Sequence, residues 1–122
     1  MITLKTLPRA NKQQIFDQVA KHMLTQMKKS TMTDENGAKF CMYKGPEGLS
    51  CAAGCLIADD EYNPEFEKYT WHSLADWEYV PRRNSELIGL LQKIHDNNEP
   101  VEWEGLLREL AKNYKLEWNV NV

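Results

Sequence analysis

Apolar residues recur at helical spacing in three stretches of the chain. Between residues 12 and 29, Ile15, Phe16, Val19, Met23, Leu24 and Met27 share one face, with Gln13, Asp17, Lys21 and Lys28 opposite. Asn11 and Gln14 have capping-box spacing at its start. Lys28 and Lys29 suit its negative C-terminal end. A second helix is predicted from Asn84 or Ser85 to about Asp96, with Leu87, Ile88, Leu91 and Ile94 as its stripe. A third runs from about Val101 to Lys115, with Trp103, Leu106, Leu107, Leu110, Ala111 and Tyr114 facing inward. The sequence Asn97-Asn98-Glu99-Pro100 separates the two.

Elsewhere the period is shorter. Residues 2–7 alternate apolar and polar and end at Pro8, as a short strand or extended lead-in does. Asn36-Gly37 suits a sharp reversal with positive φ. Phe40 and Met42 alternate with Cys41 and Tyr43. The following Gly45-Pro46-Glu47-Gly48 matches a type I turn, so residues 49–51 are predicted to return as the partner strand. Such a hairpin needs a helix beneath one face, and the first helix is the candidate. Residues 51–57 read as a short buried helix, and Asn63-Pro64 as another start. Ser73 is placed to cap a helix over residues 74–79, with Asp76 three positions on and Pro81 as its stop. Leu116, Trp118, Val120 and Val122 alternate with polar residues, as a third strand beside the hairpin or the N-terminal segment would. The pattern predicts one α+β domain over residues 1–122, mostly helical, packed on a short antiparallel hairpin or three-stranded sheet.

Composition adds limits. The 122 residues are 42% hydrophobic and 27% charged, enough for one buried core. No apolar run approaches the roughly 20 residues of a membrane span, and the N-terminus lacks the apolar core of a signal peptide. The expected location is the cytosol of a cell, where three cysteines stay as free thiols. The net charge of −3 conceals a division. Residues 1–50 carry eight Lys/Arg against four acids, whereas residues 51–80 carry seven acids and only Lys68 as a base. A dedicated nucleic-acid binder would present a dominant basic face. This layout suits contact with an oppositely charged protein instead.

The cysteines are spaced Cys41-x9-Cys51-x3-Cys55. A zinc site would take these three and one of His22, His72 or His95. The commoner role of such cysteines, beside Ala52, Ala53 and Gly54, is tight packing. Cys51 is the thiol that a nucleophilic mechanism would use, given a lowered pKa and a nearby base. Asp59-Asp60-Glu61 resembles a magnesium site only loosely. There is no P-loop, G-x-G-x-x-G, H-E-x-x-H or G-x-S-x-G. No catalytic residue, metal or cofactor is therefore assigned.

Aromatic and acidic residues interleave from Glu65 to Val80: Phe66, Tyr69, Trp71, Trp77 and Tyr79 stand among Glu67, Asp76 and Glu78. Tyr and Trp anchor interfaces, and a negative rim selects a basic partner. Trp103 and at least one of Trp71 and Trp77 are expected in the core. The run CMYKGPEGLSCAAGCLIADDEY, with LLQKIHDN later, resembles a group of small bacteriophage and prophage proteins over most of the chain. In that group the residue before the two aspartates is often proline; here it is Ala58. No activity carries over from the group, but the resemblance implies a viral setting, in which small proteins bind and block host machines. The expectation is a non-enzymatic protein in the host cytoplasm. It binds a host nuclease, polymerase or defence complex bearing a basic patch, through Asp59, Asp60, Glu61, Tyr62, Glu65, Glu67, Asp76 and Glu78. Reversing the charge of Asp60 and Glu61 is expected to weaken that contact and leave stability intact. The alternatives are a cysteine/histidine enzyme or structural zinc protein, and a nucleic-acid binder using the basic first helix.

Overall fold

Asn11 starts the first helix as its sequence predicts. In the computed structural model, which describes residues 1–121, its side chain accepts the Gln14 N–H and the Gln14 side chain accepts the Asn11 N–H. The helix, α1 (Lys12–Gln26), buries Ile15, Phe16, Val19, Ala20, Met23 and Leu24. It stops three residues short of the predicted end. Met27 takes a left-handed φ of 48° and is exposed, and the Gln26 carboxamide donates to the Lys28 carbonyl at 2.7 Å. Lys29 does not cap α1, and its ammonium reaches the Asp96 carbonyl on another helix at 3.3 Å.

The only sheet among the described residues has two strands, β1 (Thr31–Thr33) and β2 (Lys39–Cys41), paired antiparallel with Met32 opposite Phe40. The hairpin thus folds about Asn36-Gly37 rather than Gly45-Pro46. Asp34 organises this turn by accepting the N–H groups of Asn36 and Ala38, and Gly37 supplies a φ of 83°. At the second turn Glu47 has a φ of 61°, which a type I turn does not allow, and pairing reduces to one bridge, Lys44 to Ser50. The predicted partner strand at 49–51 fails for an identifiable reason. Side chains hold the backbone that a ladder would use: Glu67 accepts the N–H groups of Tyr43 (2.8 Å) and Lys44 (3.1 Å), and Gln26 brackets Ser50. The β1–β2 hairpin leaves Met32 and Phe40 exposed, whereas Ser50, in the segment predicted to return, is held against α1 by Gln26 and His22.

Residues 51–57 form a tight 3-10 turn, Ala53–Leu56, rather than an α-helix. It packs against both α1 and the third helix. Further 3-10 turns follow at Asp59–Glu61 and Pro64–Lys68, the latter capped by Asn63 as its sequence suggests. Helix α2 (Trp71–Asp76) begins earlier than predicted, because Thr70, not Ser73, caps it by accepting the Ser73 N–H. Helices α3 (Ser85–Asn97) and α4 (Pro100–Asn113) match their predicted stretches. Trp103 and Trp71 are in the core and Trp77 is not. The α3 stripe continues through His95, fully buried, while Ile94 is half-buried.

Among the described residues neither chain end forms a strand. Residues 2–7 turn into a 3-10 helix, Leu7–Arg9, with Leu7 buried. Residues 116–121 lie extended, with Trp118 against the Phe16 ring at 6.0 Å and under the Arg108 guanidinium at 4.2 Å. The last predicted strand residue, Val122, lies outside the described residues. Three glutamines on α1 replace the missing strand partners. Gln13, Gln18 and Gln26 each accept one backbone N–H and donate to the carbonyl of the same residue, at Glu117, Ile2 and Ser50 respectively. A carboxamide offers the donor and acceptor of a peptide group, so the helix pins three extended segments as a neighbouring strand would. The result is one small α+β domain, four α-helices with a two-stranded antiparallel sheet at its edge. Among the described residues, no helix is long and apolar enough to cross a membrane.

Candidate functional site

The aromatic residues between 62 and 79 divide into a floor and a rim. Phe66 is anchored in the 3-10 turn Pro64–Lys68 and Leu74 in α2; both are buried. Above them Tyr69, Trp77 and Tyr79 are 40%, 55% and 61% exposed. These five residues line a cleft of about 400 Å³ with Asn63 and Glu65 at its edge. Tyr69 and Trp77 meet edge to face, centroids 4.8 Å apart and planes at 90°. Tyr79 lies 6.2 Å from Phe66. Backbone geometry presents this rim. Glu78 takes a φ of 64° just after α2 ends, and the N–H groups of Tyr79 and Val80 fold back onto the Leu74 carbonyl. Val80 is thereby buried while Trp77 and Tyr79 face outward. Three neighbouring exposed aromatics are uncommon on a surface with nothing to contact.

The eight predicted contact residues do not share one role. Glu65 lines the cleft, and Asp76 and Glu78 flank Trp77 in the chain; all three are exposed. Glu65 pairs with Lys68 at 3.1 Å and Asp76 with His72 at 3.2 Å, both at the surface where such pairs contribute little. Asp59 and Asp60 are exposed on their 3-10 turn, Asp59 with Lys44 at 3.8 Å. Glu61 and Glu67 serve the fold instead. Glu61 accepts the N–H groups of Leu4 (2.9 Å), Lys5 (3.1 Å) and Ala58 (2.9 Å), fixing the N-terminal segment. Desolvation pushes its pKa up, but these backbone bonds outweigh that and hold it below the usual glutamate range. Reversing the charge at Glu61 would therefore disturb the fold, contrary to the sequence-based expectation. Glu67 also accepts the Tyr62 hydroxyl in a short hydrogen bond, so Tyr62 is tied down as well. The cleft walls Tyr69, Trp77 and Tyr79 carry no sequence signal that separates them from buried Trp71, which falls in the same aromatic run.

The cysteines do not gather. Cys51 is buried, its sulfur accepting the Gly54 N–H at 3.3 Å; the Cys55 thiol donates to the Ala52 carbonyl at 3.1 Å. Burial pushes Cys41 and Cys55 up to about 12 and raises Cys51 too. All three are thus protonated near neutral pH, which is unfavourable for a thiolate nucleophile. Cys41, at the end of β2, instead meets His95 and Asp96. The basic helix is also partly engaged, since Lys12 donates to Asn84 at 2.9 Å. The fold and surface define a small α+β domain with an exposed aromatic cleft on its acidic side. No family model, curated protein or solved structure matches the chain.

Proposed function

We propose that the chain is a non-enzymatic, phage-type binding protein that engages a basic surface of a host protein in the host cytoplasm. The carrying observation is the cleft formed by Tyr69, Trp77 and Tyr79 over Phe66, with Glu65 at its edge. A lysine or arginine side chain entering the cleft gains cation–π attraction of about 0.5–2 kcal/mol where it lies over a ring face. Asp76, Glu78, Asp59 and Asp60 add the charge that steers such a partner and contribute more to association rate than to final affinity. The sequence resemblance to phage proteins supports the host setting. The raised cysteine pKa values favour this reading over the cysteine enzyme, and the excess of acids around the cleft favours it over the nucleic-acid binder.

The test is affinity capture from host lysate with wild type, Trp77→Ala, the pair Glu65→Lys with Glu78→Lys, and Glu109→Lys on α4 as control. A partner held by wild type and the control, but lost or weakened at least about tenfold by both cleft variants, supports the reading. A partner that survives both variants overturns it.

A further inference from the structure

Where β2 ends against the last turn of α3, three different metal-binding side chains converge. The Cys41 sulfur, a ring nitrogen of His95 and a carboxylate oxygen of Asp96 lie within 4.8 Å of one another. His95 Nδ1 is 2.9 Å from the Asp96 carboxylate, which also accepts the Gln92 carboxamide at 2.8 Å and the Cys41 thiol. From this convergence, and from the open space beside it, we propose that Cys41, His95 and Asp96 form a zinc-class metal site with one coordination position left open.

Four observations support it. The first is the donor set: thiolate, imidazole and carboxylate together suit zinc, whereas magnesium and calcium prefer oxygen alone. Tetrahedral zinc, with bonds of about 2.0–2.3 Å, holds its ligand atoms roughly 3.3–3.8 Å apart, so small side-chain rotations close the site. The second is charge. Asp96 lies at the C-terminal end of α3, where a carboxylate and the helix dipole are both negative, and a cation is favoured there. The Lys29 ammonium reaches only the Asp96 backbone carbonyl, at 3.3 Å.

The third is His95 itself. It is fully buried and stacked on Trp103 at 5.0 Å, with Nδ1 held 2.9 Å from the Asp96 carboxylate. Here the ring is locked so that Nδ1 faces the carboxylate and the thiol. The fourth is access. Cys41 and Asp96 border a cleft of about 520 Å³ whose wall includes Trp71, and the buried Trp71 Nε1–H lacks a partner among the described residues. A water or small anion on the open position would occupy that cleft.

Binding has a simple proton balance. The metal takes the Cys41 sulfur as thiolate, and the thiol proton leaves to solvent. His95 ligates through Nδ1 with its remaining ring proton on Nε2, and any proton displaced from Nδ1 leaves to solvent. Neither Cys51 nor Cys55 takes part, unlike the zinc set that the spacing of the three cysteines suggests.

The test uses tag-free, reduced, full-length protein titrated with cobalt(II), then with zinc. Expected for wild type is one cobalt per chain with a thiolate-to-cobalt charge-transfer band and tetrahedral visible absorption, both abolished by zinc. Cys41→Ser and Asp96→Asn should each lose the band and weaken zinc affinity by at least about a hundredfold, beyond what loss of an outer-shell partner costs. Cys55→Ser should retain both. Thermal unfolding of each variant without metal verifies that it is folded, and zinc should raise the melting temperature of wild type and Cys55→Ser only. No charge-transfer band in wild type, or equal zinc affinity in folded Cys41→Ser, would overturn the proposal. So would loss of binding on His72→Ala alone, which would place the ion at the surface.

Discussion

Gly54 sits directly beneath the Tyr43 carbonyl: a Cβ at position 54 would fall 2.0 Å from that oxygen and 2.8 Å from its carbon. Both groups are backbone, and the Tyr43 carbonyl also accepts the Cys51 N–H at 3.3 Å, so neither yields easily. Gly54→Ala should cost at least about 3 kcal/mol, seen as a lowered urea midpoint or as insoluble protein. Gly89 and Gly105, in α3 and α4, have nothing within 4 Å of the added carbon. Alanine at either should stabilise by about 0.5–1 kcal/mol in the same assay.

Glu61 separates fold from recognition on the acidic side. Glu61→Ala frees three backbone N–H groups, two of them at the N-terminal segment, and should cost about 1–3 kcal/mol. Asp60→Ala, on the same turn but exposed, should change stability by less than about 0.5 kcal/mol. Because the Glu61 pKa is depressed in the fold, its contribution is present above the ordinary glutamate range and lost as pH falls through the folded value. Urea unfolding near neutrality and in acid, compared between the two variants, checks both statements.

His22 should make the fold sensitive to mild acid. Desolvation lowers its pKa from 6.5, partly opposed by the 2.8 Å hydrogen bond that its Nε2–H donates to the Ser50 carbonyl. The neutral ring is the folded form. Its contribution is complete above 6.5 and is lost as pH falls through the lower folded value. The stability of wild type should decline as pH falls below about 6.5, and His22→Gln should flatten that decline.

The glutamine staples of α1 give a further expected outcome. Gln26→Glu keeps size and helix propensity but removes the donor to Ser50 and Lys28, and it sets a carboxylate against two carbonyls. A loss of about 1–3 kcal/mol is expected by chemical denaturation, larger than for Lys21→Glu on the exposed face of the same helix.

What the sequence determined by itself is local. Helical period, the Asn11–Gln14 box and the turn chemistry of Asn36-Gly37 and Asn63-Pro64 act over a few residues, so α1, α3, α4 and those turns were readable. The buried His95 was readable in principle too, since 87, 91 and 95 continue one helical stripe. Tertiary structure decided everything that depends on distant partners. Whether residues 49–51 and 116–121 became strands turned on Glu67, Gln13 and Gln26, whose polar ends reach backbone far along the chain. That Trp77 and Tyr79 faced out while Val80 went in was set by the backbone reversal after α2. The meeting of Cys41 with His95 and Asp96 likewise depended on where β2 ends against α3. Alternation and composition describe a side chain's preference for water or core; they carry no information about which long-range polar contact will satisfy a given N–H or carbonyl.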